Sequence, residues 1–177
     1  MKEKNLGFGT RAVHVGQEHD PRTGAHASPI YQTSTFVLEN IDEAIRLNQD
    51  QEAGFTYTRF RSPSEAELAN KVAKLENGEA GLAVGSGMAA ISNAIMTLVK
   101  GGDHIIAGDV LYGCTFALIE QVLKDYGVEV TLVDTSDVSA VEEAIQPNTK
   151  AVYIETPANP ILRISDIQKI SEEAHKN

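Results

Sequence analysis

Residues 104–126 read HIIAGDVLYGCTFALIEQVLKDY, and this stretch decides the fold class. A short apolar run, His104–Ala107, comes first and is followed by a polar turn. From Thr115 to Tyr126 the apolar positions then recur at the spacing of one helix face. A strand-length apolar run followed by an amphipathic helix predicts a βα unit, the building block of parallel sheets.

The same succession recurs along the rest of the chain. Strands are predicted at Ala80–Val84, His104–Ala107, Glu129–Val133 and Ala151–Ile154. The helices that follow them are predicted at Met88–Val99, Thr115–Tyr126, Val138–Ile145 and Asp166–His175. The apolar runs begin about every 20–25 residues, a spacing that suits repeated right-handed crossovers. The predicted fold class is therefore α/β, with a mostly parallel sheet and flanking helices.

Residues 1–62 differ from the rest of the chain in their prolines, glycines and polar turns. Only Asn40–Asn48 has a helical pattern there. A long segment with so little regular structure is rarely a free loop. We therefore expect residues 1–62 to form an extended arm that becomes ordered against a second subunit.

Residues 63–177 are predicted to form the first part of the α/β domain. The domain begins with a helix, for which Ser64 and Glu67 have the spacing of a capping box. Asn77-Gly78 is a typical helix end.

Charge and composition exclude several classes of partner. The chain has 25 acidic and 15 basic residues, a net charge of −10, which disfavours nucleic acid and anionic membrane surfaces as partners. The single cysteine, Cys114, cannot form an internal disulfide, so a reducing compartment is expected. There is no signal-like or membrane-length apolar run. These features predict a cytoplasmic protein, and no metal site is predicted.

Ligands of open α/β sheets bind beyond the carboxyl ends of the strands, so the loops there are candidate sites. Gly85-Ser86-Gly87-Met88 lies at one such loop, where glycines and the amides of a helix start favour an anion such as phosphate. The loop lacks the lysine of a P-loop and the three-glycine spacing of a dinucleotide site. An ordinary tight turn therefore remains an open alternative.

Other candidate residues lie in loops of the same kind. Tyr112 can stack on a planar ligand and move protons, or simply pack under a helix start. Cys114 near a helix start can have a lowered thiol pKa, or be buried and inert. Asn159, held between prolines, can bind a ligand or close its turn. Tyr57 and Arg59 can bind a phosphate, or form a solvated turn.

Several of these motifs together resemble one family. They are Gly9–His14, Pro29–Phe36, Tyr57–Arg59, Gly85–Ala90, Leu111–Gly113 and Glu155–Pro160. In order and spacing they are similar to the motifs of the Cys/Met-metabolism family of pyridoxal-phosphate enzymes, and the resemblance covers essentially the whole chain. It implies the large domain of the fold-type-I, PLP-dependent transferase-like class, preceded by the arm.

The resemblance also implies roles for particular residues. The amides of Gly87 and Met88, beside Ser86, would bind the cofactor phosphate. Tyr112 would stack on the pyridine ring and assist proton transfer to the departing sulfur. The residues that it implies as ligands of pyridoxal phosphate are Tyr57, Arg59, Ser86, Gly87, Met88, Tyr112 and Asn159. Tyr57 and Arg59 would reach the phosphate in a neighbouring subunit, which implies a homodimer or homotetramer joined through the arm.

The residue after Tyr112-Gly113 favours one branch of the family. A cysteine at this position is characteristic of the methionine γ-lyases, so Cys114 joins Tyr112 as an implied catalytic residue. The implied substrate is a sulfur amino acid, and the implied reaction is α,γ-elimination of L-methionine to a thiol, 2-oxobutanoate and ammonia. Another trans-sulfuration enzyme, such as a cystathionine γ-lyase, a cystathionine γ-synthase or an acylhomoserine sulfhydrylase, remains the alternative.

Members of the family are much longer than this chain. The resemblance places three further residues beyond Asn177: an aspartate for the pyridine nitrogen, the Schiff-base lysine and an arginine for the substrate carboxylate. We therefore expect the chain to be a truncated, inactive portion that cannot attach the cofactor covalently. A non-catalytic protein that oligomerises through the arm is a further alternative, and a Rossmann-type nucleotide-binding domain is a more distant one.

Overall fold

A computed structural model describes residues 6–50 and 54–176. The chain divides into two compact units, Met1–Ala83 and Val84–Asn177, which are described separately. Within the described residues, no helix combines the length and the apolar character needed to cross a lipid bilayer. The predicted boundary between residues 62 and 63 stays a prediction.

The first unit contains three described helices, α1 (Phe8–His14), α2 (Ile41–Gln49) and α3 (Pro63–Glu76). Helix α2 confirms the helix predicted at Asn40–Asn48, and the Asn40 side chain caps it by accepting a hydrogen bond from the amide of Glu43. The prediction of a single helix in residues 1–62 is wrong, because α1 is also present. Helix α1 buries none of its own side chains.

The predicted capping box of α3 is also wrong. Ser62 is the N-cap, and its hydroxyl accepts a hydrogen bond from the amide of Glu65 at 3.2 Å. Pro63 occupies the first helical position, where its missing N–H is no loss. The hydroxyl of Ser64 instead accepts a hydrogen bond from the amide of Tyr31. The predicted helix end is confirmed, since Asn77 adopts the left-handed conformation at φ 57°.

The strand predicted at Ala80–Val84 is not formed. A strand requires hydrogen bonds to a neighbouring strand, and this segment pairs with none among the described residues. Its backbone approaches α3 instead, and a Cβ added at Gly81 would lie 2.6 Å from the carbonyl oxygen of Ala69. Leu82 is consequently left 74% exposed.

The second unit is built around a three-stranded parallel sheet, which confirms the predicted α/β class. Its strands are β1 (His104–Gly108), β2 (Glu129–Val133) and β3 (Thr149–Tyr153), in the order β2-β1-β3. The described helices of this unit are α4 (Gly87–Leu98), α5 (Gly113–Ala117), which continues as a π-helical segment (Leu118–Leu123), α6 (Val138–Ala144) and α7 (Ile167–Ala174). They fall where helices were predicted.

The centre of the sheet is the core of this unit. Every residue of β1 is buried, and Ile105 and Ala107 pack in one cluster with Ile95 of α4 and Ile119 of the π-helical segment. Because side chains alternate along a strand, Ile106 faces the opposite side and is also fully buried. A central parallel strand that is covered on both faces has a continuous apolar sequence, and this is the pattern from which β1 was predicted.

Candidate active site

The loops that leave the three strands all lie at one edge of the sheet, because parallel strands end on the same side. The turn after β1 leads through Asp109 to Tyr112, β2 leads to Asp134, and β3 leads into the loop Glu155–Arg163. The loop before α4 was expected to follow the strand predicted at Ala80–Val84. It follows the unpaired segment at residues 80–84 instead.

The start of α4 is a candidate anion site. The Ser86 hydroxyl caps the helix by accepting a hydrogen bond from the amide of Ala89 at 3.0 Å. The amides of Gly87 and Met88 are the first two of the helix and have no acceptor within it. Cβ atoms added at Gly85 and Gly87 would meet nothing within 4 Å, so the approach to these amides is open. A phosphate group fits this arrangement.

Thr115 connects the start of α4 to the loop that carries Tyr112. Its side chain is fully buried, and its hydroxyl donates to the sulfur of Met88 at 3.7 Å. Tyr153, the last residue of β3, is half-buried nearby. Burial raises the pKa of the Tyr153 phenol, and the hydrogen bond with Thr115 opposes that rise. These contacts join the end of β3, the start of α4 and the start of α5.

Tyr112 and Cys114 form a polar pair at the start of α5. The Cys114 thiol donates to the Tyr112 hydroxyl oxygen over 3.5 Å, and both side chains are exposed, Tyr112 by 46%. The side-chain hydrogen bond with Cys114 is the largest cause that raises the pKa of the Tyr112 phenol, and the electrostatic interaction between the two groups adds to the rise. The thiol is accessible to solvent, so the alternative of a buried Cys114 is wrong.

The loop after β3 is tied to the loop after β1 by Glu155. One carboxylate oxygen of Glu155 accepts a hydrogen bond from the amide of Tyr112 at 2.9 Å. The other accepts one from the amide of Asn159 at 3.0 Å. Asn159 is itself exposed, at the same edge of the sheet as Tyr112. Two of the predicted ligand residues are thus held by one side chain.

Arg163 lies at the other end of the loop after β3 and joins this loop to the ends of β1 and β2. Its guanidinium lies 2.6 Å from the carboxylate of Asp109 and 3.0 Å from that of Asp134. Hydrogen bonds from Ser136 are the largest causes that lower the pKa of Asp134, and Arg163 lowers it further. One cation therefore joins the ends of β1 and β2 to the loop after β3.

Tyr57 and Arg59 lie in the first unit. Tyr57 forms an isolated antiparallel bridge with Thr35, so residues 34–36 and 56–58 are paired. The Arg59 guanidinium lies 5.1 Å from the ring centre of Tyr57 and 5.5 Å from that of Phe60. The two predicted phosphate ligands therefore contact each other, and the arginine is exposed.

Contacts thus connect Met88, Tyr112 and Asn159 through Thr115 and Glu155. Their roles as ligands stay predictions. Sequence reasoning did not single out Glu155 or Arg163. A usable indication existed for Arg163, because Asp109 and Asp134 each directly follow a predicted strand and Arg163 lies in a loop at the same edge. No comparable indication existed for Glu155, whose partners are backbone amides.

Comparison with known proteins gives a consistent result. The model of the family described as Cys/Met metabolism PLP-dependent enzymes matches residues 9–177. The chain is 48% identical over its whole length to an L-methionine γ-lyase of Fusobacterium nucleatum subsp. nucleatum and 49% identical to one of Porphyromonas gingivalis. It is 43% identical, over 99% of its length, to a cystathionine γ-lyase of Bacillus subtilis. The chain spans 45%, 45% and 43% of these relatives.

Solved structures agree with the fold. The crystal structure of metB from Corynebacterium glutamicum superposes with a TM-score of 0.89 at 37% identity, and the match covers all of this chain and 44% of that one. A putative O-acetylhomoserine (thiol)-lyase from Campylobacter jejuni superposes with a TM-score of 0.88 at 35% identity, over 97% of this chain and 42% of that one. The latter structure contains N'-pyridoxyl-lysine-5'-monophosphate.

Proposed function

Because the chain belongs to the Cys/Met metabolism family of pyridoxal-phosphate-dependent enzymes, we propose that it supplies part of the cofactor site of a carbon–sulfur lyase acting on L-methionine. With water, the reaction yields a thiol, 2-oxobutanoate and ammonia. The observation that carries this proposal is the convergence of the α4 start, Tyr112 and Asn159 at one sheet edge, through Thr115 and Glu155.

The start of α4 binds the cofactor phosphate in this proposal. The Gly87 and Met88 amides donate to the phosphate oxygens, and the dipole of a twelve-residue helix favours the negative charge. The Ser86 oxygen accepts from Ala89, so its proton can donate to the same phosphate. The Tyr112 ring and the Asn159 side chain then orient the rest of the cofactor in this proposal.

Tyr112 and Asn159 contact the ring in this proposal. The exposed Tyr112 ring stacks on the pyridine, and the Asn159 side chain donates to the ring oxygen. The Tyr112 phenol carries a proton that it gives to the departing thiolate in this proposal. Cys114 polarises the phenol through its hydrogen bond and lies where it can contact the substrate.

When bound, pyridoxal phosphate acts as an electron sink for the substrate's α-carbon. That chemistry needs a lysine at the carboxyl edge of the sheet. The described lysines of the second unit do not meet this need: Lys100 and Lys150 lie near the amino ends of β1 and β3, and the other three, Lys124, Lys169 and Lys176, pair with acidic residues three or four positions away. We therefore expect the 177-residue chain alone to show no turnover.

A second candidate function is another trans-sulfuration reaction. Identity to the cystathionine γ-lyase of B. subtilis, 43%, is close to that of the methionine γ-lyases at 48% and 49%. Identity therefore separates the two activities only weakly. Cys114 beside Tyr112 is the feature that favours methionine.

Assembly is part of the proposal. Tyr57 and Arg59 contact each other on the surface of the first unit and offer a phenol and a guanidinium to an anion. We expect them to reach the phosphate bound by a second copy of the chain, in a homodimer or homotetramer.

Binding and activity need separate tests. Titration of the chain with pyridoxal phosphate, followed by absorbance and repeated with competing inorganic phosphate, should give saturable, phosphate-sensitive binding. Absence of any response would contradict the proposed site. For the reaction, the full-length gene product is assayed for thiol release from methionine and, in parallel, for cystathionine cleavage and sulfide incorporation. A preference for either of the last two would favour the second candidate.

A further inference from the structure

The carboxylate of Glu155 joins the backbone of Tyr112 to the backbone of Asn159. Both of its hydrogen bonds run to backbone amides, at 2.9 Å and 3.0 Å. Tyr112 is the N-cap of α5, so its own amide lies outside the helix and needs an acceptor from elsewhere. The carboxylate therefore satisfies two amides that belong to two different loops.

The two hydrogen bonds stabilise the two loops and also set the spacing between the backbone of Tyr112 and that of Asn159. The oxygens of one carboxylate keep a constant separation, so the backbone at Tyr112 and at Asn159 is held at one spacing. Charged acceptors form the shorter and stronger kind of hydrogen bond. Glutamine presents one acceptor oxygen and one donor NH₂ group, and so can satisfy only one of the two amides.

We propose that Glu155 is a positioning residue that sets the Tyr112 ring and the Asn159 side chain at the spacing needed to hold a planar ligand between them. The identity of that ligand as pyridoxal phosphate rests on the proposed function. The positioning itself rests only on the two hydrogen bonds. Both hydrogen bonds of Glu155 come from backbone amides, so it acts through Tyr112 and Asn159.

Other bonds keep the loop folded when the carboxylate is removed. The amide of Ala158 donates to the carbonyl of Arg163 at 2.8 Å, and that of Leu162 donates to the carbonyl of Ala158 at 2.7 Å. Arg163 is anchored independently by two carboxylates. A change at Glu155 is therefore expected to alter spacing at the site while the sheet remains intact.

Amide hydrogen exchange, measured by NMR on the 177-residue chain, tests the two hydrogen bonds directly. In Glu155→Ala the amides of Tyr112 and Asn159 should both lose protection by about fivefold or more, the effect of one lost hydrogen bond each. In Glu155→Gln one of the two should remain protected. The control is Glu143→Gln, at an exposed position of α6, which should change neither amide. Unchanged protection of both amides in Glu155→Ala would overturn the proposal.

Cys114 provides a second readout that needs no ligand. It is the only cysteine, it is exposed, and its thiol contacts the Tyr112 hydroxyl. Release of the Tyr112 backbone should change the rate of Cys114 modification by a disulfide reagent by about fivefold in Glu155→Ala. The rate in Glu143→Gln should equal that of the wild type. Equal rates in all three proteins would also count against the positioning role.

Ligand titrations separate this proposal from the proposed function. Inorganic phosphate needs only the α4 start, so its affinity should be the same in Glu155→Ala and wild type, while pyridoxal phosphate should bind about fivefold more weakly to the variant. If the wild type fails to bind pyridoxal phosphate but the exchange results hold, the proposed function is wrong and the positioning role stands. If both ligands bind the variant as they bind the wild type, Glu155 does not position the ring-contacting residues.

Discussion

His104 Nδ1 lies 2.7 Å from the hydroxyl oxygen of Thr149, across the pairing of β1 with β3. On the other side of the ring, Nε2 lies 2.8 Å from the hydroxyl oxygen of Thr131 in β2. The histidine is fully buried, so one imidazole joins all three strands near their amino ends. This is the end of the sheet opposite to the candidate site, which gives His104 a role in stability.

His104 should make the stability of the chain depend on pH. Burial lowers the pKa of His104 below 6.5, and the charge of Glu129 opposes this only in part. Well above pH 6.5 the imidazole is neutral in both states, and its contribution is fully present. As the pH falls below 6.5 the unfolded chain takes up the proton first, so the free energy of unfolding should fall, by at most about 1.4 kcal/mol per pH unit for one proton.

Urea denaturation of wild type and His104→Gln between pH 5 and 8 measures this effect. The variant should have the flatter profile below pH 6.5, since its buried side chain does not titrate. The control is His26→Gln, at an exposed position, which should keep the wild-type profile. Parallel profiles for wild type and His104→Gln would show that His104 is not the titrating group.

Thr149→Val should destabilise the chain by about 1–3 kcal/mol. The Thr149 hydroxyl bonds the His104 ring and accepts a hydrogen bond from the amide of Gln146 at 2.8 Å, so the isosteric valine leaves both groups with a lost partner. The matched control is Thr97→Val on the exposed face of α4, where the hydroxyl donates back to the carbonyl of Ala94. Denaturant unfolding should place the control within about 0.5 kcal/mol of wild type. Equal losses in the two variants would contradict a special role for Thr149.

The sequence predicted what depends on local pattern. The apolar runs of β1 and β2 were bounded by polar turns, and the observed strands agree with their predicted limits to within a residue. Ala80–Val84 has the same local pattern, yet it forms no strand, because pairing depends on a neighbour that the pattern does not contain. Similarly, Ser62 and Ser64 are both followed three residues later by a glutamate, so both have the spacing of a capping box. Proline follows only Ser62, which is the N-cap that forms.

Some features of the candidate site could likewise be predicted from local sequence, and others could not. Gly87, Tyr112 and Asn159 were predicted from motifs and from the rule that ligands bind beyond strand ends. Glu155 lies 43 positions from Tyr112 in sequence, and its partners are backbone amides, which are the same whatever the residue and so give no sequence signal. The buried imidazole of His104 was likewise counted as part of an apolar run, since its two partners lie on other strands.

Arg163→Ala should lower the free energy of unfolding more than removal of an ion pair on a helix surface does. Arg163 is 25% exposed at its side chain and bridges Asp109 and Asp134, whereas Lys124 pairs with Glu120 one turn away at the same 2.6 Å. We expect a loss of about 1 kcal/mol for Arg163→Ala and about 0.3–0.5 kcal/mol for Lys124→Ala, both at low salt. Double-mutant cycles with Asp109→Asn, measured by urea unfolding at 0.05 and 1 M NaCl, should show a coupling that salt reduces. A coupling of zero at low salt would contradict the bridge.

Ser86→Ala should reduce both stability and phosphate affinity. Loss of the cap on α4 should cost about 0.5–2 kcal/mol in the free energy of unfolding, because the amide of Ala89 loses its acceptor. Loss of the hydroxyl proton should weaken binding of inorganic phosphate by about fivefold, measured by calorimetry. Ser62→Ala removes the equivalent cap of α3 and should cost similar stability without changing phosphate affinity. If Ser86→Ala binds phosphate as tightly as Ser62→Ala does, Ser86 is a helix cap alone, and the anion is held by the amides of Gly87 and Met88.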